Sequence, residues 1–176
     1  YSHIEKFRFS TSPLLKVENG IPKIQGTCSF IKYKDFYFIL TAEHVLKGFE
    51  NNLFLPKEKE SNILIRPGGT SYLDHKNDIG IILLDNESVN LIKKTYMFFD
   101  FEYHSEFEGT KFSFIGFPET RGRYNRYKPK INVKPFIFNT AKASELMIQK
   151  INMINEDKIF VMYDKNKVYS IIEQKY

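Results

Sequence analysis

Short runs of β-forming and apolar residues dominate the first quarter of the chain and predict a hairpin. Two such runs, 25–33 and 35–41, are separated by a short turn around Lys34. The next segment, 42–47, contains good helix formers and stops at Gly48, which favours a single helical turn. We therefore expect two antiparallel strands followed by one turn of helix.

The later apolar runs are also short, and most of them predict strands. Further strands are predicted at 62–66, 79–84, 111–116, 130–138, 158–163 and 168–173. Only 141–154 has apolar residues at roughly helical spacing, and this segment fits either a helix or a strand. Many short strands joined by turns of Gly, Pro, Asn and Asp predict a mainly β fold, either an antiparallel barrel or a sandwich.

Composition agrees with this pattern and sets the size of the fold. Aromatic residues make up 16% of the chain without a single Trp, and this enrichment is typical of strands. A length of 176 residues suits one compact domain or two small subdomains, and it needs neither a metal nor a disulfide to hold a core. A cut between subdomains is predicted within 85–100. The longest apolar runs fall far short of a membrane span of about 20 residues, so no membrane span is expected.

The cysteine content and the first residue bear on the compartment. A single cysteine, Cys28, cannot form an internal disulfide, which favours a reducing compartment and hence the cytoplasm over secretion. The chain begins with Tyr1 rather than Met, so we expect a trimmed amino end.

The segment 121–134 contributes much of the net charge of +5. Two tyrosines, Tyr124 and Tyr127, are interleaved with its six cations, which are Arg121, Arg123, Arg126, Lys128, Lys130 and Lys134. No acidic residue lies between Glu119 and Glu145. Cations beside aromatic rings suit single-stranded nucleic acid through phosphate contacts and stacking. A solvated loop is the simpler interpretation, and a loop that binds nucleic acid or another acidic partner is the alternative.

A histidine and an aspartate at the ends of predicted strands indicate a reactive site. His44 follows the strand 35–41 in a tight turn, and Asp78 directly precedes the apolar run 79–84. A half-buried carboxylate that is hydrogen-bonded to one imidazole nitrogen leaves the other nitrogen free to act as a base. We therefore predict the supporting half of a nucleophilic site, with Asp78 orienting His44. Asp74 is the alternative orienting residue.

The motifs around these residues resemble those of the trypsin/chymotrypsin-like serine peptidases. They are Gly-Thr-x-x-Phe at 26–30, Leu-Thr-Ala-x-His at 40–44, Asn-Asp-Ile at 77–79 and Gly-Phe-Pro at 116–118. The last is similar to a Gly-Tyr-Pro stretch in many bacterial members, so the resemblance is to a bacterial-type peptidase.

The resemblance implies a fold and two catalytic roles. It implies two antiparallel β-barrels with the active site between them, the first at 1–90 and a second, incomplete one at 91–176. His44 would be the general base and Asp78 the residue that orients it. A polypeptide substrate or a protein partner is then expected, and no cofactor.

The family's nucleophile motif is missing from this chain. That motif, Gly-x-Ser-Gly-Gly, also supplies the backbone N–H groups of the oxyanion hole, and it occurs nowhere in the 176 residues. Ser144 and Ser170 lack the flanking glycines. Three explanations stay open: a serine downstream of Tyr176 or on another chain, a natural pseudo-peptidase that serves as a binding module, and an unconventional nucleophile such as Ser170. We expect the chain by itself to be inactive.

Two other chemistries fit the sequence less well. Cys28 precedes His44 and lies within a predicted strand, so a buried, inert thiol is favoured over a nucleophile. Cys28, His44, His75 and His104 lack the short spacing of a zinc site, and no metal is expected.

Overall fold

The computed structural model describes 7–47, 52–57, 63–98, 111–118, 122–125, 130–133 and 135–141. These residues form a mainly β structure built from largely antiparallel sheets, which confirms the predicted fold class. None of the sheets formed by the described residues closes into a barrel. The two-barrel architecture therefore stays a prediction.

Within this part of the chain the elements follow one another in short succession. The strands are β1 (Thr11–Glu18), β2 (Ile21–Tyr33), β3 (Phe36–Thr41), β4 (Leu53–Pro56), β5 (Leu64–Ile65), β6 (Gly69–Asp74), β7 (Ile79–Leu84), β8 (Met97–Phe98), β9 (Lys111–Gly116), β10 (Gly122–Asn125), β11 (Lys130–Val133) and β12 (Phe136–Ala141). Besides the helical residues 7–9, the described residues include the helices α1 (Glu43–Leu46) and α2 (Asn86–Leu91). No helix of the described residues has both the length and the apolar composition to cross a membrane.

The largest sheet has the strand order β5-β4-β1-β2-β3-β7-β6, and β8 pairs with β2 in parallel. The long strand β2 pairs with β1 on one side and with β3 on the other. Lys34 lies between β2 and β3 with a φ of 53°, in the left-handed region that tight hairpin turns use. The predicted hairpin and the helical turn that follows it are thus confirmed.

The core lies against the central strands of this sheet. Phe30 of β2 and Ile39 of β3 are fully buried, and they pair directly with each other across the two strands. In β7 burial alternates, so that Gly80, Ile82 and Leu84 are buried. The other members of this cluster are Leu14, Cys28, Val45, Leu46, Leu53, Leu55, Ile65 and Ile92. The cluster therefore joins α1 to the strands that flank it in the sequence.

Two glycines allow α1 to lie close to the sheet. A Cβ atom at Gly80 would lie 2.7 Å from Leu46 Cδ1 and 3.1 Å from the carbonyl oxygen of Ala42. A Cβ atom at Gly26 would lie 2.7 Å from Val45 Cγ2. Because such distances are shorter than real Cβ contacts, a larger residue at either position would displace the turn that contains His44.

The chain divides into two compact units. One comprises Tyr1–Phe101 and Gly116–Pro135, and it contains the large sheet and the β10–β11 hairpin. The other comprises Glu102–Ile115 and Phe136–Tyr176. The cut predicted between residues 90 and 91 stays a prediction.

Several predicted strands differ from the observed ones. The predicted strand 130–138 is divided into β11 and β12 near Pro135, which has no N–H to donate to a ladder. Within 85–100 the chain forms α2, because the Asp85 carboxylate accepts a hydrogen bond from the Ser88 N–H and caps the helix. Strands β1, β4, β6, β8 and β10 were not expected from the sequence, and β10 lies where a solvated loop was the simpler prediction. The predictions for 142–176 lie outside the described residues.

Candidate active site

The position of His44 is set by the junction between β3 and α1. Thr41, the last residue of β3, donates its hydroxyl hydrogen to the carbonyl oxygen of Thr27 at 2.8 Å. This bond fixes the end of β3 against β2, and α1 begins two residues later. The Thr27 hydroxyl in turn accepts a hydrogen bond from the Phe117 N–H at 2.7 Å. Thr27 therefore joins three of the motifs on which the family resemblance rests.

The position of Asp78 is set by the turn between β6 and β7. The Asp74 carboxylate accepts hydrogen bonds from the main-chain N–H of Lys76 at 3.0 Å and of Asn77 at 3.2 Å, which holds the turn. Asp78 itself has a φ of 53°, a left-handed conformation that Asp tolerates better than most residues. Its carbonyl oxygen accepts a hydrogen bond from the Glu43 N–H at 3.1 Å. The turn is thereby attached to the first residue of α1.

His44 and Asp78 form a close imidazole–carboxylate pair. The distance from His44 Nδ1 is 2.8 Å to Asp78 Oδ2 and 3.0 Å to Oδ1. Asp78 Oδ1 also accepts a hydrogen bond from the His44 main-chain N–H at 3.0 Å. Since an ionised carboxylate can only accept, His44 Nδ1 must carry the donated hydrogen. The other ring nitrogen, Nε2, is then the one with a lone pair.

The surroundings of Asp78 favour its ionised form. The main-chain N–H of His44, followed by the His44 ring, lowers the pKa of the Asp78 carboxyl below its usual value. Both side chains are exposed, His44 to 69% and Asp78 to 52%. Exposed ion pairs contribute little to stability, so the pair orients the imidazole more than it stabilises the fold. The half-buried carboxylate expected from the position of Asp78 before β7 is therefore not observed, because the turn holds this side chain at the surface.

A second imidazole–carboxylate pair, formed by His75 and Glu43, lies next to the His44–Asp78 pair. His75 Nδ1 is 2.7 Å from Glu43 Oε1, and the Glu43 side chain is only 9% exposed. Lys47 Nζ approaches the same oxygen at 3.9 Å. This pair was not predicted, because nothing in the local sequence pattern shows that Glu43 is buried while its neighbour His44 is exposed.

Asp74 was the alternative orienting residue and Cys28 the alternative nucleophile, and the structure places both in other surroundings. The described hydrogen bonds of Asp74 are within its own turn, so it holds the loop and does not contact His44. Cys28 is buried in the core, and burial raises the pKa of its thiol to about 12, which keeps it protonated and unreactive at neutral pH. His104, Ser144 and Ser170 lie outside the described residues. No group of three or more metal-ligating side chains occurs within the described ranges.

The predicted basic segment is described in part. Arg123 lies in β10 and Lys130 in β11, two strands that pair antiparallel with Arg123 opposite Asn132 and Lys130 opposite Asn125. Arg121, Arg126, Lys128 and Lys134 lie outside the described residues. The partner-binding role of this segment stays a prediction.

No family model matches this chain, and no curated protein is significantly similar to it. Function must therefore be argued from the motifs and from the geometry of His44 and Asp78.

Proposed function

We propose that this chain provides the base and the orienting carboxylate of a trypsin-like serine endopeptidase. The observation that supports this most strongly is the distance of 2.8 Å between His44 Nδ1 and Asp78 Oδ2, together with the bond from the His44 N–H to the same carboxylate. Two donors from one residue fix both the position and the tautomer of the imidazole. This arrangement favours His44 Nε2 as a base.

The proposed reaction is acyl transfer to a serine hydroxyl. His44 Nε2 takes the hydroxyl proton as the serine attacks the peptide carbonyl, and later gives that proton to the leaving amine. Asp78 holds the imidazole in the required tautomer and stabilises the imidazolium that forms in between.

The serine and the oxyanion hole are proposed to come from residues other than 1–176. The sequence contains no Gly-x-Ser-Gly stretch that could place a nucleophile beside two N–H donors. The chain of 176 residues is therefore expected to hydrolyse no peptide by itself. Cleavage of casein by this chain that is lost in His44→Ala would contradict this expectation and would show an unconventional nucleophile.

The natural full-length protein allows the proposal to be tested by peptide hydrolysis. We expect kcat/KM to fall by about 10⁴-fold in His44→Ala and in Asp78→Asn, because each removes a member of the proton-transfer pair. Asn also adopts the left-handed conformation that Asp78 has. Asp78→Asn therefore removes the charge and leaves the turn intact.

Asp74→Asn is the matched control for Asp78→Asn. The two aspartates flank the same turn, and the amide oxygen introduced by Asp74→Asn can still accept from the main-chain N–H groups of Lys76 and Asn77. Activity close to wild type is therefore expected for Asp74→Asn. Full activity in Asp78→Asn together with loss in Asp74→Asn would assign the orienting role to Asp74 instead.

A second candidate function is a non-catalytic module that binds an acidic partner through 121–134. The observation in its favour is that Arg123 and Lys130 lie in paired strands, so this charged segment is not a simple loop. The test is binding of a single-stranded oligonucleotide at increasing salt. Salt-sensitive binding that persists in the His44→Ala, Asp78→Ala double variant and weakens in Arg123→Ala, Lys130→Ala would favour this function.

A further inference from the structure

The Glu43–His75 pair and the His44–Asp78 pair connect the same two segments of the chain. Helix α1 supplies Glu43 to one pair and His44 to the other, and the turn between β6 and β7 supplies His75 and Asp78. The Glu43 N–H also donates to the Asp78 carbonyl oxygen at 3.1 Å. Each segment therefore contributes one imidazole and one carboxylate, and the two pairs run in opposite directions between them.

We propose that Glu43 and His75 are positioning residues that hold α1 and the turn at the separation the His44–Asp78 hydrogen bond requires. The catalytic consequence of this inference rests on the proposed function, whereas the structural consequence can be measured without it. Neither residue is proposed to touch the substrate.

A link between α1 and the turn is needed because the His44–Asp78 pair is exposed to water. Water competes for the hydrogen bond between His44 and Asp78, whose side chains are 69% and 52% exposed. Helix α1 has only four residues, and its N-cap, Ala42, makes no side-chain capping bond. The His44–Asp78 hydrogen bonds select the tautomer, and a second contact between α1 and the turn would keep the two side chains within reach of each other.

The Glu43–His75 bond differs from the His44–Asp78 bond in its carboxylate, which is largely buried, whereas the His75 ring is 69% exposed, the same as the His44 ring. The Glu43 carboxylate is 9% exposed, so water has little access to it, and opening the bond at 2.7 Å would leave a buried carboxylate with one fewer donor. Lys47 also approaches Glu43, at 3.9 Å, but it directly follows α1 and cannot join α1 to the turn. Lys47→Ala is therefore a matched control, because it removes a cation near Glu43 Oε1 without breaking the contact between α1 and the turn.

The structural test is the tautomer of the His44 ring, measured by ¹⁵N NMR in the chain of 176 residues at a pH where the ring is neutral. We expect Nδ1–H in the wild type and in Lys47→Ala, and a mixture of both tautomers in Glu43→Ala and in His75→Ala. Because the two residues form one link, the double variant should be no more perturbed than either single variant.

Two further variants, His75→Asn and His75→Gln, keep a polar side chain at this position, so the test can be made even where an alanine variant does not fold. His75→Asn places an amide N–H near the position of Nδ1 and should restore the wild-type tautomer. His75→Gln places its amide near the position of Nε2 and should not. Equal tautomer populations in these two variants would overturn the proposal.

The catalytic test uses the same variants in the natural full-length protein. A misplaced base slows the chemical step, so kcat should fall by about 10- to 100-fold in His75→Ala while KM changes little. A lower melting temperature with unchanged kcat and an unchanged His44 tautomer would show a merely structural role and overturn the inference. Absence of the Nδ1–H tautomer in the wild type would instead contradict the proposed function itself.

Discussion

At the scale of single residues, Asp78 is the side chain on which the candidate site depends most. Its left-handed backbone places the carboxylate where both the ring and the main-chain N–H of His44 can reach it. Asp combines two properties that the position requires, because it tolerates a positive φ and its short side chain only accepts hydrogen bonds when ionised.

The lowered pKa of Asp78 predicts how this residue affects stability in acid. The folded state binds the proton less tightly than the unfolded chain, so the ionised carboxylate stabilises the fold above about pH 4. That contribution is lost as the pH falls through the lowered pKa of the folded state. Urea unfolding of wild type and Asp78→Asn should therefore show a stability difference that narrows as the pH falls from about 5 through the usual carboxyl pKa of about 4 and below it.

The control for this measurement is the same comparison at constant pH and varied salt. An exposed pair should weaken as salt is added, so the stability difference at about pH 5 should also narrow. A difference between wild type and Asp78→Asn that is independent of pH would contradict the assignment of the lowered pKa to the hydrogen bonds from His44.

At the scale of elements, the approach of α1 to β7 determines where His44 lies. Gly80→Ala would place a Cβ atom against Leu46 and against the carbonyl oxygen of Ala42, which is main chain and cannot rotate away. We expect the free energy of unfolding to fall by about 1–3 kcal/mol, as for other overpacked positions, in urea denaturation.

Gly116→Ala is the matched control for Gly80→Ala. A Cβ atom there would lie 3.6 Å from Thr27 Oγ1, an ordinary contact, so no comparable loss of stability is expected. Equal stability of Gly80→Ala and wild type would show that α1 can move away from β7 at little cost, and the argument for a fixed His44 would fail.

The elements that the sequence predicts well are those whose signal is local. The strand 79–84 coincides with β7, and 111–116 coincides with β9, because each is a run of β-forming residues bounded by turn residues. Strand β6 has mostly exposed side chains and gives no apolar alternation, so its position depends on pairing with β7.

The residues of the candidate site likewise fall into two groups, those that the sequence predicts and those that it does not. His44 and Asp78 could be found from sequence because each lies next to a recognisable strand within a familiar motif. Glu43 and His75 could not be paired, because their contact joins positions 32 residues apart and depends on which face of a four-residue helix is buried.

At the scale of the whole molecule, the site belongs to the unit that contains the large sheet. His44 follows β3 and Asp78 precedes β7, two paired strands of that sheet, and the core cluster includes Val45 and Leu46 of α1. His44 and Asp78 are thus held in place by the same packing that stabilises the fold. Their arrangement should therefore be present in the 176-residue chain whether or not a nucleophile is supplied.

The most direct test of the account is the tautomer of His44 in the wild-type chain and in Asp78→Asn, measured by ¹⁵N NMR with the ring neutral. We expect Nδ1–H in the wild type, with Nε2 unprotonated and available as a base. In Asp78→Asn the amide can donate to Nδ1, and the ring should change to the Nε2–H form. An Nε2–H ring in the wild type, or the same tautomer in both proteins, would contradict the claim that Asp78 prepares His44 to act as a base.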